Sequence, residues 1–340
     1  MRMCILSNWF SLALLCLCFA GITGCERLSS PTPPATSNET TPPGDEPNEE
    51  ARRFVTLSPA LGVMLRDLGF EDSIVGRHSY DSALSRSIPS VGSQLELDYE
   101  LLITLDPTDI LIERNTIGIP EQLQSLADKF GWNLWTYQLE SLDDIAITLD
   151  DLYLKLVGFP EDSTQIETGL GEGIPIHPGA KLTVELPSAR LAQSWSPMGR
   201  VASDAGRMLV LAGIDPPGAM GPGSFHGQLI ERLGVTPALS TGGMWQELDY
   251  EDIINLAPDS ILVFAPRAHT ANDQIGEPVP MSWGQIKGAT GGIAELPIPA
   301  VENQRIAIIE HPLGLLPSSS FGQVADEVRA EIEAWAARDP

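Results

Sequence analysis

Residues 98–113 read DYELLITLDPTDILIE, and residues 249–264 read DYEDIINLAPDSILVF. The two stretches are identical at eight of their sixteen positions and lie 151 residues apart. Because that offset is far longer than the period of a solenoid, the pattern indicates one structural unit used twice, in two lobes. Two similar lobes enclose a cleft, and clefts between domains commonly bind small molecules.

Each copy predicts a short helix followed by a buried strand. Asp98 and Asp249 are expected to be helix N-caps, because a short carboxylate accepts hydrogen bonds from the free amides of a first helical turn. Pro107 and Pro258 cannot continue a helix and should end it. An apolar, β-branched run follows each proline, as in a parallel strand that is buried on both faces. The two runs cover residues 110–112 and 261–264.

The rest of the chain alternates between strands and helices of similar length, which predicts parallel, Rossmann-like sheets. We therefore predict an α/β fold of two Rossmann-like lobes with parallel sheets, joined by a connecting helix at residues 142–157. The predicted first-lobe elements are strands at 54–57, 74–76 and 133–137, and helices from Ser58-Pro59 to Gly69 and at 119–130. The predicted second-lobe elements are strands at 188–195 and 305–309, and helices at 202–212, 228–233, 283–288 and 319–337.

The amino terminus has the pattern of a secretory signal: Arg2 precedes an apolar run at 9–20, and then Ile-Thr-Gly-Cys at 22–25. These four residues resemble a bacterial lipobox. That resemblance implies cleavage after Gly24 and a lipid on Cys25, which would hold an exported protein at the membrane, on its periplasmic or outer face. The alternative is an ordinary signal peptide with a cysteine near the cut. All four cysteines lie in the first 25 residues, so the remaining chain has none for a disulfide or a thiolate site.

Five segments follow from these patterns. A stretch rich in Pro, Thr, Ser and acidic residues after Cys25 has little to bury and is expected to be a disordered tether. The predicted segments are a signal peptide at 1–24, the tether at 25–52, an N-terminal lobe at 53–140, a connecting helix and linker at 141–180, and a C-terminal lobe at 181–340.

The charge and the missing motifs exclude several functions. The net charge of −26 provides no basic surface for nucleic acid. The sequence has no G-x-S-x-G elbow, no phosphate loop and no H-E-x-x-H helix. The five histidines lie on separate segments. We therefore predict a protein that is not an enzyme.

Three stretches resemble the periplasmic binding proteins of the iron-chelate and vitamin B12 class, the helical-backbone or class III substrate-binding lipoproteins of ABC transporters. They are VTLSPALGVMLRDLGFEDSIVG at 55–76, SVGSQLELDYELLITLDPTDILI at 90–112, and GPGSFHGQLIERLGV at 221–235. The family fold is two α/β lobes joined by one long rigid helix. Pro160 and the glycines after it depart from that pattern and predict a shortened or broken connecting helix.

The resemblance also implies a partner and a ligand. In the family, one glutamate on each lobe docks onto arginines of a permease in the inner membrane, and Glu100 and Glu251 occupy the matching positions of the repeat. The alternative is that both glutamates only interact with a helix dipole, which contributes about 0.3–1 kcal/mol each. The implied ligand is a metal chelate (cobalamin, haem or a ferric siderophore), and no cofactor is implied.

Ligands of open α/β sheets bind outside the carboxyl ends of the strands. The segments predicted to lie there carry aromatic faces and polar tips, which suit a large, flat, partly apolar ligand. The candidate residues are His78, Tyr80, Trp195, Phe225, His226, Trp245, Arg267, His269, Trp283 and His311.

Two alternatives to a chelate-binding transport protein stay open. One is a protein that binds a bare metal ion directly through His78, His226, His269 or His311. The other is an enzyme of unknown type, or a sensor that has lost its role in transport.

Overall fold

The first lobe contains one four-stranded parallel sheet. A computed structural model describes residues 52–116, 118–158, 182–267 and 281–338, together with strands at 163–167 and 174–175. The order of strands in the first sheet is β2-β1-β3-β4, and every neighbouring pair is parallel. The elements are β1 (Phe54–Thr56), α1 (Pro59–Asp67), a 3₁₀ turn (Glu71–Ser73), β2 (Ile74–Gly76), α2 (Tyr99–Leu105), β3 (Asp109–Glu113), α3 (Glu121–Phe130) and β4 (Asn133–Tyr137).

This sheet is buried on both faces, as the apolar runs predict. Phe54 and Leu111 belong to one cluster of buried side chains, whereas Val55, Ile110 and Ile112 belong to another. Successive residues of a strand point to opposite faces, so the two clusters lie on the two sides of β1 and β3. The predicted Rossmann-like first lobe is confirmed.

The connecting helix α4 covers Leu142–Val157, the bounds that the sequence predicts. Ser141 and Asp144 form a reciprocal capping box at its start, and Gly158 follows its last residue with φ 81°. Pro160 lies outside the described residues. After α4 come β5 (Ser163–Glu167), β6 (Ile174–Pro175) and β7 (Leu182–Glu185), which form a small sheet in the order β6-β5-β7.

The second lobe is built on a larger, mixed sheet. Its main path is β11-β9-β8-β12-β13, and β10 also pairs with β8. β8, β10, β12 and β13 are parallel, whereas β9 and β11 run antiparallel to their neighbours. The elements are α5 (Pro187–Ser194), α6 (Arg200–Asp204), β8 (Arg207–Ile214), β9 (Pro217–Met220), α7 (Phe225–Leu233), β10 (Thr236–Pro237), β11 (Trp245–Glu247), α8 (Tyr250–Leu256), β12 (Ser260–Phe264), α9 (Trp283–Thr290), a 3₁₀ turn (Gly291–Glu295), α10 (Pro299–Glu302), β13 (Ile306–Ile309) and α11 (Phe321–Arg338).

Two second-lobe predictions are wrong. The predicted strand at 188–195 is helix α5, because Pro187 suits a first helical position and Leu191 and Trp195 are spaced by one helical turn. The predicted helix at 202–212 is the short α6 followed by the buried strand β8. A short apolar run fits a buried strand or a buried helix equally well by periodicity, which explains the second error.

The repeat has the same structure in both lobes. Asp98 accepts a hydrogen bond from the Leu101 amide, and Asp249 accepts one from the Asp252 amide, so both predicted N-caps are confirmed. Each helix ends in a residue with φ 43° immediately before its proline. β3 and β12 then occupy central positions in their sheets. Within the described residues, no helix is both long and apolar enough to cross a membrane.

Candidate functional site

The two lobes meet where the loop after β2 contacts the loop after β13. Val63 of α1, Ala83 and Leu313 form a small buried cluster, with Leu316 packed against it. Nearby, the Ser319 hydroxyl donates a hydrogen bond to Asp67 Oδ2 at 2.6 Å. Both loops leave the carboxyl ends of parallel strands, which is where ligands of such sheets bind. The contact therefore brings together loops from the carboxyl ends of the two sheets, where the sequence predicts the ligand cleft.

Tyr80 is the most exposed aromatic side chain of this region, with 82% of its surface accessible. Its amide donates to His78 Nδ1 at 3.1 Å, and the two rings lie 5.5 Å apart. Arg77 holds the loop in place, since its guanidinium donates to the carbonyls of Ile88 and Asp81. Burial lowers the pKa of His78. The arrangement presents a phenol ring to solvent beside a neutral imidazole.

Trp245 is the corresponding exposed aromatic residue of the second lobe, with 51% of its surface accessible. It pairs with Met220 across the antiparallel strands β11 and β9. Its ring lies directly on Gly218, where a Cβ atom would come within 2.2 Å of two ring carbons. Pro217, beside Gly218, pairs with Ile214 at the carboxyl end of β8. Because one face of the indole rests on this glycine, its position is fixed while half of its surface stays accessible.

His226 lies inside the second lobe, with 1% of its surface accessible. Its Nε2 lies 2.8 Å from the Gly314 carbonyl oxygen, and the rings of Phe225, Phe264 and Phe321 lie 4.3–5.2 Å away. Nδ1 has no hydrogen-bond partner among the described residues. Burial lowers the pKa of His226 to about 4. The side chain is a neutral group that ties α7 to the loop after β13, and Phe225 is half-buried against it.

Trp195 and His311 are buried rather than open to the cleft, each with 2% of its surface accessible. The Trp195 indole donates to the Phe321 carbonyl at 3.4 Å, in the core between α5 and α11. His311 Nδ1 accepts from the Leu313 amide at 3.2 Å, and its Nε2 lies 3.2 Å from Gln323 Oε1. These contacts give both side chains a structural role.

Arg267 and Glu310 join the ends of β12 and β13 through an ion pair of 3.1 Å. Arg267 and Glu310 have opposite effects on the pKa of Glu327, which lies on α11. Burial raises the pKa of Glu327 to about 7, Arg267 opposes this rise, and Glu310 adds to it. Trp283 begins α9 and is half-buried against the second-lobe core. His269 lies outside the described residues.

A polar network at the first-lobe edge of the cleft was not predicted. The Ser58 hydroxyl donates to Glu113 Oε2 at 2.6 Å, and the Gln94 amide donates to the Glu113 carbonyl at 2.7 Å. Asn115 donates to the Gln94 side chain. The sequence places Ser58 only at the start of a predicted helix, and in the structure its side chain makes no cap hydrogen bond. The signal that could have found it is the position of Glu113, at the carboxyl end of a buried strand.

Glu100 and Glu251 are exposed in the first turns of α2 and α8, as their places in the repeat predict. Neither forms an ion pair within the part of the chain that the structure describes. Among those residues, no three His, Cys, Asp or Glu side chains converge as a metal site would require. Cys25 precedes the described residues.

Solved structures of periplasmic binding proteins share this fold. The heme-binding protein RhuT from Roseiflexus sp. RS-1 is 18% identical with a TM-score of 0.55, and the match covers 84% of this chain and 99% of that one. The vitamin B12 binding protein BtuF of Vibrio cholerae is 15% identical with a TM-score of 0.54, covering 84% and 98%. An ABC transporter substrate-binding protein from Listeria monocytogenes EGD-e is 15% identical with a TM-score of 0.52, covering 83% and 98%.

These matches define the class of the fold. No protein-family model and no curated protein matches the chain. The chain has the two-lobed α/β fold of the heme, vitamin B12 and iron-binding periplasmic solute-binding proteins. The resemblance carried by the three sequence stretches is confirmed at the level of the fold.

Proposed function

We propose that this protein is the extracytoplasmic solute-binding component of an ABC importer. It captures a metal chelate (a corrinoid, haem or a ferric siderophore) in the inter-lobe cleft and delivers it to a membrane permease. The fold supports this proposal, because the matched proteins are binding proteins for heme and vitamin B12, and one is described as an ABC transporter component. An exported location follows from the same proposal.

The observation that carries the proposal is one exposed aromatic ring on each lobe, Tyr80 in the loop after β2 and Trp245 at the start of the outer strand β11. Tyr80 is 82% accessible and Trp245 is 51% accessible, whereas the other large aromatic candidates are at least half-buried. Exposed aromatic rings suit a flat macrocycle, and stacking contributes about 0.5–1.5 kcal/mol beyond the burial of apolar area. We propose that Tyr80 and Trp245 contact the ligand from the two lobes, with His78 beside Tyr80.

Equilibrium titration of the purified protein tests this ligand class. Cyanocobalamin, hemin and ferrichrome are added separately, and binding is measured by calorimetry because substitution of a tryptophan alters fluorescence. We expect one of the three to bind to the wild-type chain. Trp245→Ala should then weaken binding at least about tenfold, which corresponds to roughly 1.4 kcal/mol, and Tyr80→Ala should act similarly.

Phe130→Ala is the matched control. Phe130 is an exposed aromatic residue, but it ends α3 just before β4 begins, at the opposite edge of the first sheet. Its substitution should leave the affinity unchanged. Wild-type affinity in both the Trp245 and Tyr80 variants would refute the site. Tight binding of a bare divalent metal ion, with none of the three chelates bound, would favour the direct metal-binding alternative.

We further propose that Cys25 carries a lipid that anchors the exported chain. The support is the Ile-Thr-Gly-Cys sequence after an apolar run. Cys25→Ser should move the protein from the membrane fraction to the soluble fraction of cells, and retention of the variant in the membrane fraction would contradict the lipid anchor.

A further inference from the structure

Most identities within the repeat have a structural explanation. Eight of the sixteen positions are the same in both copies. The two Asp residues cap helices, the two prolines follow the helix ends, and the Ile-Leu pairs of β3 and β12 are completely buried. Tyr99 and the last leucine of each helix pack partly against the core, and the ring of Tyr250 lies against Gly292 although 41% of its surface is accessible. The two identical positions that remain are exposed in both copies.

These positions are the glutamate and the isoleucine of each helix. Glu100 and Glu251 are exposed. Ile103 and Ile254 are large apolar side chains that remain 41% and 38% accessible. A glutamate and an isoleucine three residues apart are neighbours on the same face of a helix. Each lobe therefore presents one carboxylate beside one accessible isoleucine, which we call the Glu-Ile pair.

The fold does not require these isoleucines. The core side of α2 is supplied by Leu102 and that of α8 by Ile253, and neither has any accessible surface. At these two core positions the copies differ, since one has leucine and the other isoleucine. At the exposed position both copies have isoleucine, although a polar residue there would suit a surface helix.

We propose that the two Glu-Ile pairs are one bipartite docking surface for the permease, in which each isoleucine covers the ion pair that its glutamate makes. This inference rests on the proposed function. The glutamates have no ion-pair partner within the described residues, so they are available to cations of another chain. An apolar side chain that excludes water beside an ion pair lowers the local dielectric and strengthens the attraction.

The duplication also indicates the symmetry of the partner. Because equivalent pairs occur in the two lobes, they fit a partner whose two halves offer the same chemistry, as the halves of a symmetric dimer do. The predicted surface on each half is a Lys or Arg side chain next to an apolar side chain. A partner that was only positively charged would use the glutamates and leave the isoleucines in water.

Binding to the permease dimer that co-purifies with the wild-type chain, reconstituted in lipid nanodiscs, tests this inference. Ile103→Ser and Ile254→Ser are combined in one variant. Ile147→Ser is the matched control, because Ile147 is 53% accessible on the connecting helix α4, outside the repeat. We expect the double variant to bind the permease roughly tenfold or more weakly, and the control to bind like the wild type.

Salt concentration distinguishes the apolar from the ionic contribution to permease affinity. The loss of affinity caused by the isoleucine substitutions should be similar at low and high salt. A variant with Glu100→Gln and Glu251→Gln should lose most of its affinity at low salt, where exposed ion pairs are least screened. Calorimetric titration with hemin or cyanocobalamin should give the wild-type affinity in all of these variants, because the substitutions lie outside the cleft.

The outcomes distinguish this inference from the function on which it rests. If the glutamate variant fails to dock while the isoleucine variant docks like the wild type, the Glu-Ile pair is refuted and the transport function stands. If the wild-type chain captures a chelate but no permease binds it, delivery to a permease fails and the docking surface fails with it.

Discussion

His226 makes the stability of the second lobe sensitive to pH. Its imidazole is buried among three phenylalanine rings, and burial lowers its pKa from 6.5 to about 4. In the unfolded chain the imidazole takes up a proton below about pH 6.5, whereas in the folded chain it stays neutral to about pH 4. The unfolded state is therefore favoured as the pH falls through this window.

The expected loss is about 1.4 kcal/mol per pH unit inside the window, and about 2 kcal/mol by pH 5 relative to neutral pH. His226→Gln keeps an N–H donor for the Gly314 carbonyl but cannot titrate. Urea unfolding at pH 7.5 and pH 5 should show a smaller loss of free energy in this variant than in the wild type.

The quantity to compare is the loss of unfolding free energy between pH 7.5 and pH 5 in the wild type and in the His226→Gln variant. A difference is needed because buried carboxyl groups change the stability in the opposite direction as the pH falls. Burial raises the pKa of Glu327 to about 7, so that group favours the folded state as the pH falls. This contribution is common to both proteins and cancels in the difference. Equal losses in the two proteins would show that His226 is not responsible.

At the scale of elements, the sequence was most informative where several signals coincided. In the repeat, a capping Asp, a terminating Pro and a β-branched run all agree, and the structure has the predicted helix and strand twice. The connecting helix was predicted from its helical spacing of apolar residues, and in the structure a capping box at Ser141 and Gly158 mark its two ends.

Elements with only one signal were predicted poorly. The predicted helix at 202–212 is wrong at β8, because a short apolar run has no period that distinguishes a helix from a strand. The sequence does not predict the antiparallel pairing of β9 with β8 and β11, because its register depends on close contacts such as Trp245 against Gly218. Such contacts join residues far apart in sequence and leave no local pattern.

The residues of the candidate site could likewise be predicted only in part. Aromatic residues near strand ends could be identified from the sequence, but their exposure could not. Trp195 and Trp245 are the same residue type in similar predicted loops, yet one is 2% accessible and the other 51%. The difference arises because α11 covers Trp195, whereas Gly218 supports Trp245 from below and leaves its other face open.

At the scale of the molecule, the two lobes share one core. A single cluster of buried side chains includes Phe54 and Leu61 of the first lobe, Leu149 of α4, and Leu262 and Phe321 of the second lobe. Polar contacts add to this: the Leu142 amide donates to Gln228 Oε1 at 3.0 Å, and Asp150 accepts two hydrogen bonds from Ser188. Relative movement of the lobes would have to disrupt this shared core, and protein interiors are closely packed.

We therefore predict that ligand binding causes little closure of the cleft. Shifts of about 1 Å or less are typical of preorganised binding partners, in contrast to hinged proteins that close by large rotations. Spin labels at Ser125→Cys on α3 and Ser203→Cys on α6 report the distance between the lobes, in a chain produced from Glu26 onward. All natural cysteines lie at or before Cys25, so the labels are specific in that chain.

The distance distribution should be narrow without ligand and should keep its mean when the chelate identified by titration is added. Small-angle scattering of the unlabelled protein provides an independent measurement, and its radius of gyration should not change. A bimodal distance distribution without ligand, or compaction of several ångströms on ligand addition, would show that the shared core opens. Recognition would then depend on closure of the lobes rather than on preformed positions of Tyr80 and Trp245.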